Sequence, residues 1–228
     1  MIRDLEKFQT VTGYRFHDPS LLKQAMIHPS YSGEMHMQRF ESNQRLEFLG
    51  DAVLELVISE YLYQVHPKVE EGELTRKRSS LVFEAALEVC ARSIGLGDYL
   101  YLGRGEDAGM GREKPSILSD AFEAVIGAVY LDGGFDSARD FIHRFVIENI
   151  DEMSLLRDGK SLIQKYIQSQ PDKKLEYKVY EAGAPGNAER FHAGLYIDDQ
   201  LISEGTGQSK KNAEQDAAVR ACRLLQIK

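Results

Sequence analysis

Apolar residues recur at helical spacing through residues 20–28, 44–63, 73–94, 116–131 and 136–153, and strand-like alternation is scarce over the same stretch. The pattern predicts a mostly helical body over residues 1–150. Pro67, Pro115 and the pair Gly133-Gly134 fall between the periodic segments, where helix breakers belong. Near residue 151 the texture changes. Residues 151–158 form a short polar stretch that reads as a linker, and a helix is expected to follow it from residue 159. Leu175, Tyr177 and Val179 then alternate with Glu176, Lys178 and Tyr180, and Phe191, Ala193, Leu195 and Ile197 repeat the pattern. Asp198-Asp199 turns the chain into a third strand over Gln200–Glu204. A last helix from about Ser209 directs Ala213, Ala217, Ala218, Ala221, Leu224 and Leu225 toward that sheet. The predicted architecture has two domains: an all-helical domain over 1–150, a linker over 151–158, and a small αβββα domain over 159–228.

The helix over 44–63 carries an unusual charge pattern. Glu47 and Asp51 stand one turn apart on the same face, roughly 6 Å along the axis, and Glu55 extends the stripe by another turn. Around them are Leu46, Phe48, Leu49, Val53, Leu54, Leu56 and Val57. No Lys or Arg lies four residues from Asp51, so the local sequence does not offset the like-charge repulsion. Taken alone, the helix fits either a narrow solvated acidic edge or a site for a divalent cation. The helix over 116–131 repeats the motif: its only acids, Asp120 and Glu123, are three residues apart on one face of an otherwise apolar segment. Carboxylates are rarely buried without a partner. Two such helices suggest one place where four oxygen ligands converge, a donor set suited to magnesium or manganese rather than zinc.

Composition narrows the setting. No apolar run approaches the length of a membrane span, and no apolar signal core follows the first residues, so a cytoplasmic protein with no membrane association is expected. Cys90 and Cys222 are two distant thiols in helical apolar patterns and read as buried, unpaired residues. The net charge of −8 is divided unevenly: residues 1–156 carry 16 Lys/Arg against 26 Asp/Glu, whereas 157–228 carry 12 against 10. An acidic front and a mildly basic tail fit cation-dependent chemistry in one domain and phosphate contact in the other. The glycine-bearing stretch 103–111 lacks the Gly-Lys-Ser/Thr ending of a phosphate loop and reads as a flexible loop.

Asn43-Gln-Arg-Leu-Glu-Phe-Leu-Gly-Asp51, with Ser116-Ile-Leu-Ser-Asp-Ala-Phe-Glu123 downstream, resembles the bacterial ribonuclease III family. His28-Pro-Ser-Tyr31 and Glu70-Glu-Gly-Glu-Leu-Thr-Arg76 match the family's pattern in the same order, and the resemblance runs from about residue 5 to residue 226. It implies that Glu47, Asp51, Asp120 and Glu123 are the metal ligands, with Asp51 and Glu123 the catalytic pair, and that Glu71 is a further acid near the active-site valley. It also implies a homodimer that cuts both strands of double-stranded RNA. The ends would be 5′-phosphates and 3′-hydroxyls with short 3′ overhangs, made during ribosomal RNA maturation and messenger RNA turnover. The expected cofactor is Mg2+, with Mn2+ as the substitute. One departure stands out: the family usually has Glu where this chain has Gln44. That change is expected to remove a negative charge beside the cations and weaken their binding modestly, unless residue 44 faces RNA or a dimer partner.

The tail resembles the double-stranded-RNA-binding domain, which reads A-form shape, 2′-hydroxyls and phosphates rather than sequence. Gln208-Ser-Lys-Lys211 opens the last helix with Lys210 and Lys211 against the helix field, a conflict that an external phosphate resolves. Two solvated lysines are the plain alternative. In the first helix of this domain, Ser161, Gln164, Lys165 and Gln168 form a polar stripe suited to the minor groove. Lys165 stands where the family often has Glu, and Asn187 takes the place of the family's loop His. The rival readings are a double-stranded-RNA-binding regulator that does not cleave, and a metal-dependent hydrolase of small phosphate substrates. Retention of all four carboxylates opposes the first, and the RNA-binding tail opposes the second.

Overall fold

The structure, a computed structural model, describes residues 3–170, 172–184, 187 and 189–227. The chain divides into two units at residues 150/151. In the first unit, apart from one isolated bridge between Ile27 and Tyr101, the regular structure is helical: α1 (Leu5–Thr12), α2 (Pro19–Ala25), α3 (Pro29–Glu34), α4 (Gln44–Val65), α5 (Glu71–Ser79), α6 (Glu84–Ser93), α7 (Arg104–Ala108) and α8 (Pro115–Phe145), with short 3-10 turns between some of them. The helix starts follow local chemistry. Asp4 and Asp18 cap α1 and α2 by accepting from Lys7 N and Ser20 N, and Pro19, Pro29 and Pro115 occupy first-turn positions that need no donor.

The two long helices α4 and α8 form the centre and pack on each other more extensively than any other pair of elements. Leu54, Ile58, Leu118, Phe122 and Ile126 are fully buried between and around them. Two glycines let the backbones approach. A Cβ added at Gly50 would lie 1.8 Å from the Glu123 carbonyl oxygen, and one at Gly127 would lie 2.2 Å from that of Leu46. The α4–α8 crossing therefore tolerates no side chain at either position.

Several boundaries differ from the sequence reading. The segment 73–94 is two helices, because Ser79-Ser80 favours helix ends and Leu81 drops into the core, leaving Phe83 extended ahead of α6. Gly134 breaks α8 as expected, with φ 77° and ψ −174°, a conformation essentially reserved for glycine. Beyond it the helix stops at Phe145 rather than 153, and Ile147–Asn149 forms a 3-10 turn. The glycine-bearing stretch is folded rather than open. Arg104 pairs with Glu34, Arg112 with Asp107, and Lys114 with Glu106, around α7 and a 3-10 turn at Gly111–Glu113. Residues 151–158, read as a linker, are helical and belong to α9 (Ile150–Gln168). Leu155 and Leu156 supply apolar positions in helical register with Ile163, which polarity alone concealed.

The second unit completes the αβββα order with β1 (Leu175–Glu181), β2 (Phe191–Ile197), β3 (Gln200–Gly207) and α10 (Lys210–Leu224). The sheet is antiparallel in the order β1-β2-β3. Asp198 and Asp199 both have positive φ, as a two-residue hairpin turn of the primed type requires. Ile163 and Ile167 of α9, Ala193, Leu195 and Ile197 of β2, and Ala213, Ala217, Ala218 and Ala221 of α10 form one core. Leu224 departs from expectation and is 67% exposed: in the last turn, the packed positions have moved round the helix to Cys222 and Leu225. Both cysteines are buried and unpaired.

Candidate metal centre and nucleic-acid interface

The α4–α8 crossing brings the two acidic motifs together. Carboxylate oxygens of Glu47, Asp120 and Glu123 lie within 4.8 Å of one another. Asp51 falls outside that group. Its side chain is exposed one turn further along α4, yet its charge acts on both Glu47 and Glu123. None of the four carboxylates has an ion-pair partner among the described residues. The strain shows in their proton affinities. Burial, followed by the charges of Asp51, Asp120 and Glu47, pushes Glu123 up to about 8. Burial, then Asp120 and Asp51, raises Glu47. Burial, then Glu84, raises Asp120 against a hydrogen bond from the Ser119 hydroxyl.

A cluster of half-buried, mutually repelling carboxylates lacking protein counter-charge is a hard oxygen donor set, and a divalent cation fits it. Glu84, at the first position of α6, was missed in the sequence because a lone acid there reads as an ordinary complement to the helix dipole. Gly50 and Gly127 had a signal. Glycine inside an apolar helix costs about 1 kcal/mol relative to alanine, and it persists where another backbone must come close.

The remaining candidates of the first unit lie outside the cluster. Glu71 is exposed in the first turn of α5 and accepts from the Thr75 hydroxyl at 3.0 Å. Gln44 is exposed and lines a cavity of about 430 Å³ with Pro29, Ser32, Gly33, Met37, Arg39 and Ser42. The His28 motif is structural. Its imidazole caps α3 by accepting from Ser30 N at 3.2 Å, and the Ser30 hydroxyl accepts from Gly103 N at 2.9 Å, fixing the segment ahead of α8.

In the second unit, Ser161, Gln164, Lys165 and Gln168 are exposed on α9, opposite buried Ile163 and Ile167. Gln208, Lys210 and Lys211 are exposed at the start of α10, and neither lysine has an ion-pair partner among the described residues. Ser209 is the cap: its hydroxyl accepts from Asn212 N at 3.1 Å. Asn187 is exposed and its side-chain oxygen accepts from Glu189 N at 3.0 Å, committing the carbonyl end to the loop. Its neighbours Pro185, Gly186 and Ala188 lie outside the described residues.

Comparison with known proteins gives the same division. The family model described as Ribonuclease-III-like matches residues 18–150, and that of the double-stranded RNA binding motif matches residues 160–225. Ribonuclease 3 of Moorella thermoacetica is 44% identical over 220 residues, covering 93% of each chain. Ribonuclease 3 of Oceanobacillus iheyensis is 43% identical over 220 residues, covering 96% of each. The solved nuclease domain of ribonuclease III from Campylobacter jejuni superimposes with a TM-score of 0.60 at 42% identity, covering 64% of this chain and 98% of that one. A helical nuclease domain joined to a double-stranded-RNA-binding domain defines an endoribonuclease that acts on double-stranded RNA. The chain belongs to the ribonuclease III family.

Proposed function

We propose that this protein is a magnesium-dependent ribonuclease III that hydrolyses both strands of an RNA duplex as a homodimer, leaving 5′-phosphate and 3′-hydroxyl ends with short 3′ overhangs. The observation that carries the metal assignment is the convergence of Glu47, Asp120 and Glu123 within 4.8 Å, with Asp51 acting on the same charges. These four side chains would hold magnesium, with manganese as the substitute. When bound, the ion supplies water activation and charge stabilisation at the attacking and leaving oxygens. The chain's own contribution is placement. The glycine-lined crossing of α4 and α8 fixes the donors before substrate arrives, and the partial burial of Glu123 reduces screening by bulk water.

A second copy is supported by exposed apolar side chains on the nuclease unit. Phe48 is 80% exposed and Tyr63 75%, on the same helix as Glu47, and Leu56 and Phe40 are also exposed. The C. jejuni nuclease domain has a region involved in dimer formation. The exposed stripe on α9, the Asn187 loop and Lys210/Lys211 would hold the duplex. Two buried reduced thiols suit a cytoplasmic enzyme of ribosomal and messenger RNA processing.

The test is a long RNA duplex incubated with the wild-type protein and with Glu123→Gln, each with and without millimolar magnesium. Cleavage is expected only for the wild type with magnesium, while Glu123→Gln still binds the duplex. Near-wild-type cutting by Glu123→Gln would overturn the ligand assignment.

A further inference from the structure

The acidic stripe of α4 does not end at Asp51. Glu55 stands one turn beyond Asp51, roughly 6 Å along the axis, and two turns, roughly 12 Å, beyond Glu47, a range over which its charge acts on a cation held by the cluster only at a distance. It is not free to do so. Arg78, near the end of α5, places Nε 2.9 Å from Glu55 Oε2 and donates from Nη1 to the Ser59 hydroxyl at 2.9 Å. The Ser59 hydroxyl in turn donates to the Glu55 carbonyl oxygen at 2.6 Å. Both charged side chains are only about one-third exposed, at 34% and 37%, so solvent screens the pair incompletely. α5 has no fully buried residue of its own, and α4 is its principal neighbour. Arg78 is therefore both the polar fastening of α5 to the metal helix and the counter-charge of the third acid in the stripe.

We propose that Arg78 sets the cation affinity of the carboxylate cluster from outside it, by neutralising Glu55. The proposal rests on the reading of the cluster as a metal centre. It assigns the stripe two functions: Glu47 and Asp51 face the ion, and Glu55 is masked. The masking prevents a surplus negative charge from holding the ion too tightly and from recruiting further cations along α4.

The experiment is a calorimetric titration of the RNA-free protein with magnesium chloride, using wild type, Arg78→Gln, Glu55→Gln and the double variant. Arg78→Gln unmasks an acid and should tighten binding by about three- to tenfold. Glu55→Gln leaves a lone cation and should weaken binding by a similar factor. The double variant should return to within about twofold of wild type, because the two charge changes cancel. A merely structural Arg78 would move affinity in the same direction in both single variants and would not be rescued by the second change. Unchanged affinity, or shifts of one sign in both single variants, would overturn the proposal. If Arg78→Gln does not fold, Glu55→Gln alone still decides, since tightened or unchanged binding contradicts it. Wild-type protein that takes up no magnesium would instead overturn the metal centre itself, and the proposal with it.

Discussion

Glu123 is the residue where burial and charge meet most directly. In the metal-free folded protein it keeps its proton up to about pH 8, whereas in the unfolded chain it loses it near the ordinary value of 4.5. Between those limits the folded state binds more protons than the unfolded one, so raising the pH disfavours folding. Glu47 and Asp120 shift in the same direction. In the presence of a chelator, stability should therefore fall as pH rises from 4.5 to about 8. Glu123→Gln should flatten that fall. Magnesium should counteract it, because the ion binds the deprotonated site. Urea unfolding midpoints across this range, for both proteins with and without magnesium, check the expectation. Parallel pH slopes for the two metal-free proteins would remove Glu123 from the set of strained carboxylates.

At the scale of elements, the site is a property of one helix crossing. Glu47 and Asp51 belong to α4, Asp120 and Glu123 to α8, and their approach is limited by what Gly50 and Gly127 leave out. A methyl group at residue 127 would meet the Leu46 carbonyl oxygen, a backbone atom that cannot rotate away. Gly127→Ala should therefore force the helices apart. The cost expected of overpacking is about 2–3 kcal/mol or more, enough to lower the Tm by roughly 5–10 °C in a chain of this size. Magnesium affinity should fall with it, because the donors no longer share one centre. Thermal unfolding and magnesium titration of the same variant test both parts. A variant with wild-type Tm and affinity would show that the crossing does not need glycine.

At the scale of the whole molecule, the two units divide the chemistry as the charge does. The nuclease unit gathers carboxylates into a donor set that fits a cation, and the tail exposes Lys210 and Lys211 at the start of α10. Replacing Lys210 and Lys211 by alanine should weaken duplex binding alike for all sequences. It should also reduce the slope of log affinity against log salt by roughly one to two, since each phosphate contact contributes about 0.9. Filter binding at several salt concentrations measures this, and an unchanged slope would mean the two lysines are only solvated.

Much of this organisation was legible in the chain itself. Period 3.6 separated the helical body from the alternating strands of the tail, because side-chain direction repeats with the backbone. Short-spaced acids in apolar helices marked the carboxylates, because charge in such surroundings demands a partner. The breakers at Pro115 and Gly134 acted where they stand, being local effects. Other features depended on distant parts of the chain. Whether Phe48 and Leu56 were core or surface could not be read from a helix that is apolar nearly all round; packing left them exposed. Gln44 came to share a cavity with Pro29, Met37 and Arg39, a grouping its own helix does not encode. Glu84 came to act on Asp120, and Arg78 on Glu55, through contacts that no spacing encodes. Sequence periodicity fixes which side chains share a face of one helix. Which faces meet, and at what distance, is settled only when the helices pack, and here two glycines set that distance.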